Sequence, residues 1–350
     1  MPFNIRSVTL CFAISLPAQA DTLRLLNWDE YLSDHTLSQW QAKGHSIESV
    51  LIDNDETRDA VLLNSVENLI DLAVIDETIS KRFGSEGRLV EINESNVPSL
   101  ANVDPFWRER CGNYAVPYLW GTLGIAYRSD VVTKPPTSWY DLLQPENALK
   151  GHVGMMDDHI DMLAPALFAN GHSLNSENET ELKQAFALLK QQTAHVQTYE
   201  YPITYLGNSP DADQLHMAMV YGGDQHTMNL KAGKKGLWKY AVPQEGTVLW
   251  VDCMAVTTSS KNQALALEFI DFINRPAIAA QNAEDLYFAT PNTAAKPLLS
   301  DAFRLNSEVF PPDEIIHRSQ LYQELSRANV KLRLRITNAV INIYESGKTH

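Results

Sequence analysis

TLRLLNWDEYLSDHTLSQWQAKGHSIESVLIDNDETRDAVLLNSVENLIDLAVI, residues 22–75, alternates two kinds of periodicity. Thr22–Leu26, Ile47–Ile52 and Leu72–Ile75 are short apolar runs that read as strands. Between them, Asp34–Ala42 and Glu56–Ser65 carry helical spacing. A β-α-β-α order predicts a mostly parallel sheet covered by helices, hence an α/β fold. Further along, Tyr114–Arg128 and Thr247–Thr257 are long β-type stretches, each a candidate connection between two lobes. Asn262–Asn274 reads as a helix with Ala264, Leu267, Ile270 and Phe272 or Ile273 on one face, and Gln320–Tyr344 as a closing helical run. Pro135-Pro136 and Pro311-Pro312 mark turns or linkers.

The chain has 350 residues, enough for two domains on a prior of ~150 residues each. Its 44% hydrophobic and 20% charged content is that of a globular protein. A formal charge of −15 argues against binding a phosphate backbone and is compatible with a cationic ligand or with simple solubility. Residues 1–20 read as a cleavable secretory signal, with Arg6, a short apolar run and Ala18-Gln19-Ala20 before the cut, which places the mature protein in the periplasm. No later stretch approaches the ~20 apolar residues of a membrane span. Cleavage removes Cys11 and leaves Cys111 and Cys253, which form either a disulfide or two buried thiols.

Nucleophile elbows, phosphate loops, dinucleotide fingerprints and zincin motifs are absent, so no enzyme is expected. What recurs instead is an aromatic beside a carboxylate. Asn27-Trp28-Asp29-Glu30-Tyr31 follows the first strand, Asp157-Asp158-His159-Ile160-Asp161 follows a β-like run, Tyr221-Gly222-Gly223-Asp224 ends another, and Trp250-Val251-Asp252 lies in the second long stretch. In open α/β sheets, ligands bind beyond the carboxyl ends of strands. Aromatic faces attract ammonium groups by ~0.5–2 kcal/mol each. A carboxylate ~4 Å from an ammonium adds ~4 kcal/mol of gross attraction at an effective dielectric near ~20. Singly, each cluster has a plainer reading, with Trp28 as core and Asp29 or Asp158 as a helix cap. The rival for the set is a divalent-metal site built from Asp157, Asp158, His159 and Asp161 with Asp224 and His226, which leaves Trp28 and Trp250 without a role.

NWDEY at 27–31, VPYLWGT at 116–122, TSWYDLL at 137–143, LWVD at 249–252 and TPNTAAKPLL at 290–299 resemble, in register, the periplasmic polyamine-binding proteins of spermidine/putrescine ABC importers. The resemblance implies a two-lobed (type II) solute-binding fold, with mixed parallel sheets and crossover strands as the hinge. It implies a first lobe from 21–126 plus 252–297 and a second from 127–251 plus 298–350. It also implies a ligand site in which Trp28 and Tyr31 match the first aromatic pair, Asp158 and Asp161 the acidic pair, and Trp250 and Asp252 the crossing-strand aromatic and acid. Asp224 is similar to an acid of the putrescine-type branch, with Tyr221 in place of a tryptophan. Phe288, or else Tyr287, stands where the family has a tyrosine, and Tyr322 and Gln323 straddle a family glutamine.

Two departures bear on specificity. Asp29 replaces a Thr or Ser, and Ile75-Asp76-Glu77-Thr78 replaces a Pro-Ser-Thr/Ser-Tyr-type turn. Either the pocket is more acidic, with Asp76 in it, and favours a triamine such as spermidine or norspermidine over putrescine, or this turn has left the site. The partners implied are a polyamine and an inner-membrane ABC permease, or else a membrane signalling receptor, as for relatives that serve receptors controlling cyclic-di-GMP. No cofactor, metal or nucleic acid is expected, and the protein is expected to be a monomer.

Overall fold

A computed structural model describes residues 21–52 and 55–348. The expected leader, including Arg6 and Cys11, lies outside the described residues.

The described residues contain ten strands: β1 (Asp21–Trp28), β2 (His45–Ile52), β3 (Leu72–Asp76), β4 (Val116–Arg128), β5 (Val153–Gly154), β6 (Val196–Thr198), β7 (Met217–Tyr221), β8 (Trp238–Ala241), β9 (Val248–Val256) and β10 (Gln320–Leu321). They form one mixed sheet in the order β2-β1-β3-β9-β4-β7-β5-β6, with β10 beside β9 and β8 beside β4. β2, β1 and β3 are mutually parallel, as are β7, β5 and β6. These two parallel units are joined by β4 and β9, which run antiparallel to each other and, respectively, to β7 and β3; the short β10 runs parallel to β9. The α/β fold and its crossover strands therefore follow the sequence reading.

β4 and β9 are long because each serves two cores. Val116–Trp120 and Val251–Val256 pack in a first core with Leu23, Leu25, Leu72 and Val74. Leu123, Ile125 and Val248 pack in a second, with Trp139, Met217 and Met219. Almost every residue of β4 is buried, as expected for a central strand covered on both faces. The switch falls at Gly121 and Trp250, which face each other across the ladder. A Cβ at position 121 would lie 2.4 Å from the Trp250 ring, so the indole needs glycine there. Leu299, Phe303 and Val309 join the first core, whereas Ile336 and Val340 join the second.

Two details differ from the sequence reading, and a third decides between its alternatives. The helix Gln263–Ile273 buries Ala266, Phe269, Ile270, Phe272 and Ile273, and Ala264 is exposed, so the buried face is rotated toward the two phenylalanines. The final helix is Arg327–Lys348; residues 320–326 are not helical, because Gln320 and Leu321 pair with β9 instead. The cysteines are bonded, with Cα atoms of Cys111 and Cys253 5.8 Å apart. That bond ties the helix Pro105–Cys111 to β9 one residue beyond Asp252.

Candidate functional site

An aromatic cluster with buried carboxyls occupies the crossover between the cores. Tyr31, just past β1, donates its hydroxyl to Asp252 Oδ2 at 2.8 Å. Its ring meets Phe288 edge-on at 5.2 Å and Tyr118 at 5.5 Å, and Tyr118 donates back to the Tyr31 carbonyl oxygen. Phe288 meets Trp250 at 5.7 Å, and Trp250 meets Tyr221 at 6.2 Å. Gly223, at φ +114°, leaves room for the Phe288 ring, which a Cβ there would strike. The Trp250 Nε1–H is buried without a hydrogen-bond acceptor.

Tyrosine hydroxyls orient the second-lobe acids. Asp161 accepts from Tyr221 at 2.5 Å through Oδ2 and from Tyr322 at 2.6 Å through Oδ1. Asp224 opens the helix Asp224–Lys231 and accepts at Oδ2 from the Tyr201 hydroxyl and the Tyr221 backbone N–H. Burial, and next the charge of the neighbouring acid, hold the hydroxyls of Tyr31, Tyr201, Tyr221 and Tyr322 protonated far above neutral pH, so all four remain donors. Burial also pushes Asp224 up to about 7, against the pull of its Tyr201 and Tyr221 donors.

The adjacent acids at the end of β3 separate into two roles. Asp76 faces Asp252 across the ladder, yet its own carboxylate is engaged. Oδ1 caps the helix Glu77–Ser85 at the N–H groups of Thr78 and Ile79, and Oδ2 meets the buried Arg58 at 2.7 Å. Glu77 is only 3% exposed, and neither of its carboxyl oxygens has a hydrogen-bond partner. Burial, then Asp76 and Asp252, raise its pKa to about 8, while its own backbone amide and Lys81 pull the other way.

Tyr31, Tyr221, Trp250, Asp252 and Phe288 are therefore brought into one aromatic cluster, with Asp161 and Asp224 bonded to its edge. Phe288 enters the cluster, while Tyr287 turns away at φ 64° to stack on His226. Asp158 lies beside it, where its charge acts on Tyr221 and Tyr322, but its Oδ1 caps the Ile160 and Asp161 N–H groups. Asp29 is exposed and accepts from the Glu30 N–H, and Trp28 packs half-buried on the first core. Asp76 acts as helix cap and ion-pair partner. Two site residues were not singled out from the sequence. Tyr201 carries no local signal, and Glu77 was noted only as half of an unusual acidic turn.

Among the described residues, no group of three or more His, Cys, Asp or Glu is placed to hold a metal ion. A groove of about 850 Å³, lined in part by Trp107, Trp120 and Phe310, opens beside the cluster; of the residues singled out from the sequence, Tyr322 and Gln323 line it, and Trp28, Tyr31, Asp161, Asp224, Trp250 and Asp252 do not.

Residues 50–311 match the profile of the bacterial extracellular solute-binding proteins. The chain belongs to that family. This solute-binding protein is 35% identical to the norspermidine sensor of Vibrio cholerae across 97% of its own length and 92% of the sensor's. It is 28% identical to the spermidine/putrescine-binding periplasmic protein of Escherichia coli, covering 88% of each chain. The crystal structure of a spermidine/putrescine ABC transporter substrate-binding protein from Streptococcus pneumoniae superposes with a TM-score of 0.79 at 23% identity, covering 93% of this chain and 100% of the other. That likeness shows the two-lobed solute-binding fold.

Proposed function

We propose that this solute-binding protein takes a linear polyamine at the crossover cluster, in the periplasm, and closes on it for a membrane partner to read. The observation that carries the reading is the meeting of Tyr31, Trp250 and Phe288 rings with the half-buried Asp252 and the buried acids Asp161 and Asp224 where β4 and β9 change cores. Methylene segments stack on the rings, and ammonium groups meet carboxylates whose positions phenol hydroxyls already hold. The moving bodies are the two packing cores, hinged at Gly121–Thr122 and Leu249–Trp250, with 299–309 carried by the first. No covalent chemistry is involved.

Of the two partners, a signalling receptor is the better supported, since the 35% identity to a norspermidine sensor runs over nearly the whole chain. A strain lacking the protein should take up labelled norspermidine at the parental rate and lose its polyamine-dependent change in cyclic-di-GMP. Loss of uptake would assign the protein to a permease instead. Polyamine should also change the tryptophan fluorescence of the purified protein through Trp250; an unaltered spectrum at saturation would remove that residue from the site.

A further inference from the structure

The acids at the crossover differ in one respect. Asp161 and Asp224, which are buried, and Asp252, which is half-buried, each hold at least one donor from this chain, whereas Glu77 is as deeply buried as Asp161 and neither of its carboxyl oxygens has a hydrogen-bond partner. Glu77 is the first residue of the nine-residue helix that begins where β3 ends, directly after the residue paired with Asp252. Its charge also acts on the Tyr322 phenol, whose hydroxyl lies on Asp161.

A buried carboxylate without donors is disfavoured by several kcal/mol. Its alternatives are to stay protonated or to receive a donor from outside the chain. The neighbours reaching it are Asp76, Asp252, Lys81, Tyr322 and its own backbone amide. Asp76 is already satisfied by Arg58 and the helix N–H groups, and Lys81 makes no ion pair with Glu77. What the place lacks is a compact cationic donor, which an ammonium group supplies.

Building on the polyamine reading, we propose that Glu77, and not Asp76, is the carboxylate that receives an additional ammonium group of the ligand and so selects a triamine over a diamine. Asp76 acts beside it, capping the helix and pairing with the buried Arg58. In the free protein Glu77 is held protonated near neutral pH. Ligand binding ionises it, and the proton leaves to solvent as the ammonium takes its place.

Glu77→Gln tests this, because glutamine has the shape of the protonated acid and leaves the free fold intact. Calorimetric titration of wild type and variant with norspermidine and with putrescine, near pH 7 in two buffers of different ionisation enthalpy, gives both affinity and proton count. The expected result is an about tenfold or greater loss for norspermidine, with putrescine within about threefold of wild type. The variant should also release about one proton fewer on binding norspermidine. Unchanged norspermidine affinity, or equal loss for both ligands, overturns the inference while leaving polyamine binding in place. Should Glu77→Gln fail to fold, Glu77→Asp keeps the charge but shortens its reach; it should retain proton release and lose affinity mainly for norspermidine, and loss for both ligands alike would overturn the inference. Wild-type protein that binds neither amine overturns the polyamine reading itself.

Discussion

Glu77 and Asp224 are carboxyls held above their ordinary range, Glu77 by burial and nearby acids and Asp224 by burial. A carboxyl whose folded pKa exceeds its unfolded one contributes stability that is complete below about 4.5 and is lost as pH rises through the folded value. His195, His216 and His226 work oppositely: burial lowers their pKa values, so their contribution is lost as pH falls below about 6.5. Between about pH 6.5 and 8 the carboxyls therefore dominate, and ligand-free protein should show a falling urea midpoint across that window. Saturating polyamine should flatten or reverse the slope, because ammonium groups favour the ionised acids. A midpoint that rises with pH without ligand would contradict the burial of Glu77. Residues of this kind were only partly legible in the sequence. The aromatics and acids of NWDEY and LWVD could be named, but which of two adjacent acids caps a helix and which is left buried without a partner depends on where β3 stops. Asp76 and Glu77 were thus indistinguishable until Arg58 and the helix N–H groups were seen to claim the first. The placement of Asp29 was equally illegible, since it depends on the turn at Glu30, with φ 53°, beside which Asp29 is exposed.

At the level of elements, β1, β2, β3, β4 and β9 were readable because their runs of Val, Ile and Leu match strand length. Residues 320–326 were misread because Leu, Tyr and Gln satisfy either period, and only pairing with β9 decides for extended chain. That departure matters, since it carries Tyr322 to Asp161. The bond between Cys111 and Cys253 was undecidable from spacing and is fixed by the approach of the helix Pro105–Cys111 to β9. Closing a loop across a separation of 142 residues should stabilise the fold by about 2–5 kcal/mol. Because Cys253 follows Asp252, replacing both cysteines by alanine should lower Tm and also weaken ligand binding. An unchanged melting temperature under non-reducing conditions would show that the bridge adds nothing to the fold.

For the whole molecule, two parallel units share strands that change core part-way, so the proposed ligand site and the proposed hinge coincide. The cluster is built from both sides: Phe288 and Tyr31 pack with the first core, Tyr221 with the second, and Trp250 lies on the strand common to both. A cation bound among them joins the two bodies, and a membrane partner needs only to distinguish the joined from the separated form. Net charge could not identify the ligand, since −15 is shared by surface and site. The most direct test is calorimetric titration of chelator-treated protein with norspermidine, spermidine, putrescine and divalent metal ions. Binding of both triamines more tightly than putrescine, with no heat from metals, is the predicted result; putrescine binding more tightly than both triamines, or metals binding while no polyamine does, would contradict it.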